Sequence, residues 1–167
     1  RYSFLGGDPF MVLHAKDDRL SLRNAEGKTK RLPPGDPLGA LRGLLKRFHP
    51  VAVPGLPRFQ GGAVGYLAYD VVRHIERLPR TTRDDLGLPD AVFLLTDNLL
   101  VFDNLRHRLL VIANCPVDKT DPASLDRAYD VLLEISSKVP AKDKIQLDID
   151  KLDIPDSKVE MLGYVKT

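Results

Sequence analysis

The sequence predicts an α+β domain in which antiparallel sheets, arranged as a meander or a sandwich, pack with a few helices. Short apolar runs separated by turn residues recur through residues 2–32, which is typical of antiparallel strands. Two longer segments carry apolar residues at three- and four-residue spacing, the pattern of an amphipathic helix. Apolar residues make up 43% of the 167 residues, enough for a proper core.

Four short strands are predicted before residue 33. The first two cover residues 2–5 and 10–15, with the turn-forming sequence GGDP at residues 6–9 between them. Leu20 and Leu22 alternate with polar neighbours, which indicates a half-exposed third strand, and a fourth follows at residues 28–32. Because the connections are short, these strands are expected to form an antiparallel meander.

The first helix is predicted to begin at Asp36 and Pro37. The carboxylate of Asp36 can accept hydrogen bonds from free amide groups of the first turn, where proline is tolerated. Its apolar face comprises Leu38, Leu41, Leu44, Leu45 and Phe48. Asp121 and Pro122 open a second helix in the same way.

A glycine-rich motif at residues 59–70 is predicted to be the structural centre of the domain. We expect six residues of this motif to have a structural role: Gly61, Gly62, Gly65, Tyr66, Tyr69 and Asp70. From Ala63 the pattern predicts a strand buried on both faces, which passes into a short helix through Tyr69, Val72 and Ile75. The spacing Gly-Gly-x-x-Gly matches neither a Walker loop nor a dinucleotide fingerprint, which favours close packing of backbones over phosphate binding.

Two apolar runs at residues 91–102 and 109–113 are predicted to form a hairpin. Asp97 and Asn98 interrupt the first run, so it is either two strands or one bent strand. After residue 138 lysines and aspartates dominate, without a strong period beyond Lys151. The sequence therefore predicts a domain over residues 1–138 and a linker or surface-wrapping extension over residues 139–167.

Composition disfavours several classes of function. A net charge of +2 without a basic stripe argues against nucleic-acid binding. No apolar run reaches the roughly 18 to 20 residues of a membrane helix. A single cysteine, Cys115, suits a reducing compartment, and a cytoplasmic location is expected. Because the chain opens at Arg1 inside a strand-like run, it is expected to be part of a longer protein.

The residues suggest neither a catalytic set nor a metal site. The four histidines lack metal-ligand spacing, apart from Asp70 and His74 at positions i and i+4, where a surface hydrogen bond is the favoured interpretation. Cys115 has no activating base nearby in sequence, so a buried inert thiol is expected.

Taken together, the motifs resemble those of the anthranilate synthase component I family. Four segments match in the family's order and cover roughly residues 1–114. They are RYSFLG at residues 1–6 followed by DP at 8–9, FxGGAVGYxxYD at 59–70, LPDA at 88–91, and LVFD at 100–103.

This resemblance implies the N-terminal part of the component I fold. In the family, the large subunit converts chorismate and ammonia, or an amino group derived from glutamine, to anthranilate and pyruvate. Mg²⁺ assists the reaction, and a glutamine amidotransferase subunit, component II, supplies the ammonia. The family's chorismate and metal residues lie in its C-terminal catalytic domain. The resemblance thus implies no catalytic residue, metal site or cofactor in this chain, which alone is expected to be inactive.

The family's N-terminal half also contributes to a feedback site for L-tryptophan. Its acid–serine pair upstream of RYSFLG is absent from this chain, so the candidates that line the effector are Arg1, Tyr2 and Ser3. Alternatively, Tyr2 and Phe4 are core residues. The related aminodeoxychorismate synthase large subunit, of the folate branch, and a stand-alone non-catalytic binding module remain alternative functions.

Overall fold

A computed structural model describes residues 1–51, 53–81, 83–117, 121, 123–138 and 160–166. The chain divides into two compact units. The first unit comprises Arg1–Gly7, Lys46–Gly62 and Asp97–Thr167, and the second comprises Asp8–Leu45 and Ala63–Thr96. Each contains a five-stranded sheet, and the predicted α+β class is confirmed. The single domain predicted over residues 1–138 contributes to both units.

The strands and helices of the described residues are named here in chain order. The strands are β1 (Tyr2–Gly6), β2 (Met11–Lys16), β3 (Arg19–Asn24), β4 (Thr29–Leu32), β5 (His49–Pro50), β6 (Gly62–Leu67), β7 (Ala91–Thr96), β8 (Asn98–Asp103), β9 (Arg108–Val117) and β10 (Glu160–Lys166). The helices are α1 (Pro37–Leu45), a 3₁₀ helix (Tyr69–His74) and α2 (Ala123–Lys138). None of these helices is long and apolar enough to cross a membrane.

The sheet of the first unit has the strand order β1-β8-β9-β10-β5. Its pairs are antiparallel except β10 with β5, which run parallel. The predicted hairpin is confirmed as β8 and β9, with Asp103 opposite Arg108 at the turn. The buried side chains at its centre, Leu99, Val101, Leu110 and Ile112, form the core cluster of this unit.

The sheet of the second unit has the order β4-β3-β2-β7-β6. The predicted four-stranded meander is confirmed for β2, β3 and β4 and is wrong for β1, which pairs with β8 in the sheet of the first unit. Helix α1 begins as predicted, because the Asp36 carboxylate accepts hydrogen bonds from the amides of Leu38 and Gly39 at 2.9 and 2.8 Å. The helix ends at Leu45, before Phe48. The core here is the buried cluster Ala15, Leu20, Val71 and Ala91.

The prediction that the glycine-rich strand is buried on both faces is wrong for this chain. Among the described strands β6 is the last of its sheet, and Val64, Tyr66 and Leu67 are 49%, 46% and 45% exposed. A strand in this position has a neighbour on one side only, which leaves its side chains open to solvent. The short helix after it is present as a 3₁₀ helix, with Val71 buried and Tyr69 largely exposed.

Two further findings concern strands: one alternative left open by the sequence is decided, and one strand was not predicted. The apolar run at residues 91–102 is two strands, and Asp97 lies where the chain leaves the sheet of the second unit for that of the first. β10, within the segment predicted as an extension, pairs with β9 on one side and β5 on the other. Residues 139–159 lie outside the described residues, so the predicted extension there stays a prediction.

Candidate functional site

The three candidate effector residues lie at the start of β1, an edge strand of the first unit. β1 pairs with β8 alone among the described strands, with Tyr2 opposite Asp103 and Ser3 opposite Phe102. The backbone amide of Asn104 extends this pairing by donating to the carbonyl oxygen of Arg1 at 2.9 Å. The candidates therefore stand together beside the β8–β9 turn.

Tyr2 and Phe4 point to the same face of β1, because side chains alternate along a strand. Tyr2 is partly buried against the core cluster of the first unit. The ring of Phe4 lies 6.2 Å from that of Tyr2 and meets Phe59 edge to face at 5.5 Å, although Phe4 stays exposed in part. These contacts favour the interpretation of Tyr2 as a core residue, although its ring still lies at the start of the edge strand β1.

Arg1 is held from two sides. Its guanidinium carbon lies 5.0 Å from the centroid of the Tyr2 ring, within the range of a cation–π interaction. Its Nη2 lies 3.6 Å from Oδ2 of Asp103, while the Arg1 side chain remains partly exposed. Ser3 is also oriented, since its Oγ accepts a hydrogen bond from Nδ2 of Asn104 at 3.2 Å.

Asp103 is the buried residue that contacts Arg1 and the turn after β8. Its side chain is fully buried, and Oδ1 accepts hydrogen bonds from the amides of Leu105 and Arg106, both at 3.2 Å. Oδ2 lies 3.6 Å from the guanidinium groups of both Arg1 and Arg108. Burial alone would raise the pKa of Asp103, but the hydrogen bonds from the Arg106 and Leu105 amides and the nearby charge of Arg1 outweigh it and hold that pKa below its ordinary value.

Sequence reasoning assigned Asp103 and Asn104 to turn chemistry and missed that they orient Arg1 and Ser3. The turn itself is as predicted, with His107 in the left-handed region at a φ of 52°. The hydrogen bond from Asn104 to Ser3 joins residues 101 positions apart, so no local pattern could reveal it. The available signal was the acid itself, placed just before a turn at the end of a strongly apolar strand.

The motif glycines occupy backbone positions that disfavour other residues. Gly61 and Gly62 have φ angles of 149° and 125°. At Gly65, an added Cβ would lie 2.8 Å from Cα of Phe93 and would overlap the carbonyl oxygen of Val92. The backbones of β6 and β7 therefore approach closely at Gly65.

The polar groups of the same motif have structural partners. The hydroxyl of Tyr66 donates to the carbonyl oxygen of Pro89 at 3.1 Å. Asp70 pairs with Arg73 rather than with His74, the partner considered from sequence. Tyr69 is exposed at the start of the 3₁₀ helix. The structure thus does not join Asp70 and His74 into a ligand pair.

A polar cleft of about 350 Å³ lies in the second unit, lined in part by Asp70, Arg73 and His74. Lys16 anchors the cleft: its Nζ lies 2.5 Å from Oδ2 of Asp84 and donates to the carbonyl oxygen of Leu88 at 2.6 Å. The hydrogen bond between Lys16 and Asp84 raises the pKa of Lys16 and lowers the pKa of Asp84. These contacts hold residues 84–88 against β2.

The described residues hold no group of three or more His, Cys, Asp or Glu side chains arranged to ligate a metal. Burial raises the pKa of the Cys115 thiol to about 11, which keeps it protonated at neutral pH.

Comparison with known proteins defines the class. Residues 9–157 match the model of a family described as chorismate binding enzyme. The chain belongs to this family.

Its relatives include both enzymes considered from the motifs. It is 38% identical over 129 residues to anthranilate synthase component 1 of Acetivibrio thermocellus, covering 77% of this chain and 25% of that protein. It is 34% identical over 126 residues to aminodeoxychorismate synthase component 1 of Bacillus subtilis, covering 75% of this chain and 26% of that protein. The chain thus spans about a quarter of the length of these curated relatives.

A solved structure has a similar fold. Anthranilate synthase component I from Streptococcus pneumoniae matches with a TM-score of 0.55 and 23% sequence identity, over 86% of this chain and 32% of that one. At this identity the match supports the fold alone. Together with the relatives, it confirms the resemblance to anthranilate synthase component I.

Proposed function

We propose that this chain is the N-terminal part of an anthranilate synthase component I. The full-length protein would convert chorismate and ammonia, or an amino group from glutamine, to anthranilate and pyruvate in tryptophan biosynthesis, as a lyase. The observation that carries this proposal is the 38% identity to an anthranilate synthase component 1 over 77% of the chain. The order of the four motifs supports the same assignment.

In this proposal the chemistry belongs to the rest of the polypeptide. A C-terminal catalytic domain binds chorismate and Mg²⁺, and the glutamine amidotransferase subunit, component II, delivers ammonia to it in the cytoplasm. The 167-residue chain then forms no anthranilate when assayed alone. Anthranilate formation by the isolated chain would contradict this division of labour.

Feedback inhibition is assigned to the edge formed by Arg1, Tyr2 and Ser3. A tryptophan molecule offers a carboxylate, an ammonium group and an aromatic ring. At this edge stand a partly exposed guanidinium, an aromatic ring and a hydroxyl, each held by a neighbour. An effector bound here inhibits only if it prefers one arrangement of the whole enzyme, which the glycine-rich motif would transmit to the catalytic domain.

The first experiment incubates the full-length protein with chorismate, ammonia and Mg²⁺ and identifies the products with and without tryptophan. Anthranilate and pyruvate, both suppressed by tryptophan, are expected. In a Tyr2→Leu, Ser3→Ala double variant, which removes the aromatic ring and the hydroxyl group, the tryptophan concentration for half-inhibition should rise by about tenfold. Ser21→Ala in β3, outside this edge, is the matched control and should leave inhibition unchanged. Unchanged inhibition in the double variant would overturn the effector assignment.

Aminodeoxychorismate synthase is the second candidate, because the Bacillus subtilis enzyme of that name is 34% identical over 126 residues. The same assay separates the two activities. Aminodeoxychorismate formed without release of pyruvate would place the protein in the folate branch, and the Arg1–Ser3 edge would then be structural.

A further inference from the structure

Three side chains form a row across the sheet of the first unit, beside the β8–β9 turn. Tyr2 lies opposite Asp103, and Asp103 lies opposite Arg108, so the three residues share one face of the sheet. Arg1 joins this row, because its guanidinium group lies over the Tyr2 ring and near the Asp103 carboxylate. Arg108, to which the sequence assigned no role, is therefore a neighbour of the Arg1–Ser3 edge.

The row carries one more positive charge than negative charge. The buried carboxylate of Asp103 faces two guanidinium groups, with Nη2 of Arg1 and Nη2 of Arg108 each 3.6 Å from its Oδ2. The side chains of Arg1 and Arg108 are 43% and 34% exposed, so an ion from solvent can reach both. Asp103 balances one of the two charges and leaves the other for an anion that approaches from solvent.

The hydrogen-bond donors of these two arginines are incompletely used. At 3.6 Å neither guanidinium group donates a hydrogen bond to Asp103. Oδ2 of Asp103 and Nε of Arg108 are both buried without a hydrogen-bond partner among the described residues. By contrast, Arg80 donates to the carboxylate of Asp17 at 2.7 Å. Arg1 and Arg108 thus retain donors for a further oxygen ligand.

We propose that Arg108 determines the specificity of the effector site, where Arg1 and Arg108 together bind the carboxylate of an amino acid whose aromatic ring packs against Tyr2. This inference rests on the proposed feedback function and deepens it, because it names the group that the site recognises. A carboxylate between the two guanidinium groups would balance the charge of the row, and its two oxygens match the planar donors of arginine. Asp103 is the buried counter-charge that holds the two arginines together.

Tryptophanamide distinguishes recognition of the carboxylate from recognition of the ring. It keeps the indole ring and the ammonium group of tryptophan but replaces the carboxylate by a neutral amide. Hydrogen bonds between charged groups are about twice as strong as neutral ones. Tryptophan should therefore inhibit the full-length protein at a concentration at least about tenfold lower than tryptophanamide does.

A carboxylate of the protein itself is the competing occupant of this position. Residues 139–159 contain five aspartates, any of which could supply such a group. If one of them bound the two arginines, the carboxylate of tryptophan would find no free guanidinium group. Tryptophan and tryptophanamide would then inhibit the full-length protein equally, and this outcome would overturn the proposal.

The Arg108→Gln variant of the full-length protein tests the role of this residue. The tryptophan concentration for half-inhibition should rise by about tenfold, whereas that for tryptophanamide should change by less than about twofold. A rise by the same factor for both compounds would show that Arg108 supports only the structure of the edge, which would overturn the proposal. Arg106→Gln is the matched control, since Arg106 is an exposed arginine of the same turn; it should leave both values unchanged.

Arg108→Lys provides a second measurement, because it keeps the positive charge. It should raise the tryptophan concentration for half-inhibition less than Arg108→Gln does. An equal loss in the two variants would show that charge is not what Arg108 contributes, and the proposal would fail.

Failure of this inference is distinguishable from failure of the feedback assignment. If the Tyr2→Leu, Ser3→Ala double variant loses sensitivity to tryptophan and Arg108→Gln does not, the effector edge stands and the role of Arg108 is wrong. If neither variant changes the sensitivity, the effector assignment itself is wrong.

Discussion

Replacement of Gly65 by alanine tests the close approach of β6 and β7 directly. The added methyl group would lie 2.8 Å from Cα of Phe93 and overlap the carbonyl oxygen of Val92. Both are backbone atoms of a strand that is bonded to β2 on its other side. No side-chain rotation can relieve this clash, so the two strands must separate locally.

The magnitude follows from the cost of overpacking. Extra methyl groups in well-packed regions cost typically about 1–3 kcal/mol. The upper half of that range is expected here because main-chain hydrogen bonds between β6 and β7 must lengthen. The lower entropy of an unfolded chain with alanine offsets about 0.4–1 kcal/mol. The net loss is then about 1–2.6 kcal/mol, and with a urea dependence of about 2 kcal/mol per molar the unfolding midpoint should fall by roughly 0.5–1.3 M.

Urea unfolding followed by far-ultraviolet circular dichroism measures this shift. Gly43→Ala is the matched control, because Gly43 lies within α1 and an added Cβ there meets nothing within 4 Å. Alanine is favoured over glycine in a helix by about 0.5–1 kcal/mol, so this control should raise the midpoint. A Gly65→Ala midpoint at or above that of the parent chain would refute the reasoning.

Three further predictions concern the first unit. Ile112→Ala removes a fully buried side chain of β9 and should lower the free energy of unfolding by about 2–5 kcal/mol. Leu105→Ala, in the exposed turn, is the control and should change that free energy by less than about 0.5 kcal/mol in the same urea assay. The folded state binds the Asp103 proton more weakly than the unfolded state, so the stability it contributes is present above the ordinary pKa and is lost as the pH falls through the lowered one. Acid titration of stability should therefore be shallower in Asp103→Asn below about pH 4, and parallel curves would contradict the assigned contacts. Cys115 should resist a thiol reagent at pH 8 until the chain unfolds, because burial raises its pKa to about 11; rapid labelling of the folded chain would show the thiol to be accessible.

Much of the fold was accessible from sequence because its signals are local. The meander of β2, β3 and β4 follows from alternating residues and short polar turns. The start of α1 follows from one residue, Asp36, whose carboxylate caps two amides as expected. The β8–β9 hairpin follows from two apolar runs around an aspartate–asparagine turn. Each of these features is decided within a few neighbouring residues.

The features that sequence missed depend on pairing between distant segments. Nothing near Asp97 reveals that the chain changes sheets there, since the residues on both sides are equally apolar. β10 has weak alternation, and its place between β9 and β5 is set by main-chain bonds to both. The same holds at the candidate site, where Arg1 meets Asp103 only through the register of β1 with β8.

Edge protection distinguishes the two ends of each sheet. In the first unit, β5 is a two-residue strand that includes Pro50, whereas β1 is longer and exposes Phe4 and Leu5. In the second unit, β4 is charged and β6 is apolar. Short, charged or proline-containing edges exclude partners, so the unprotected ends are β1 and β6. The tryptophan proposal concerns the first of these edges, β1, where the start of the strand carries Arg1, Tyr2 and Ser3 beside the β8–β9 turn.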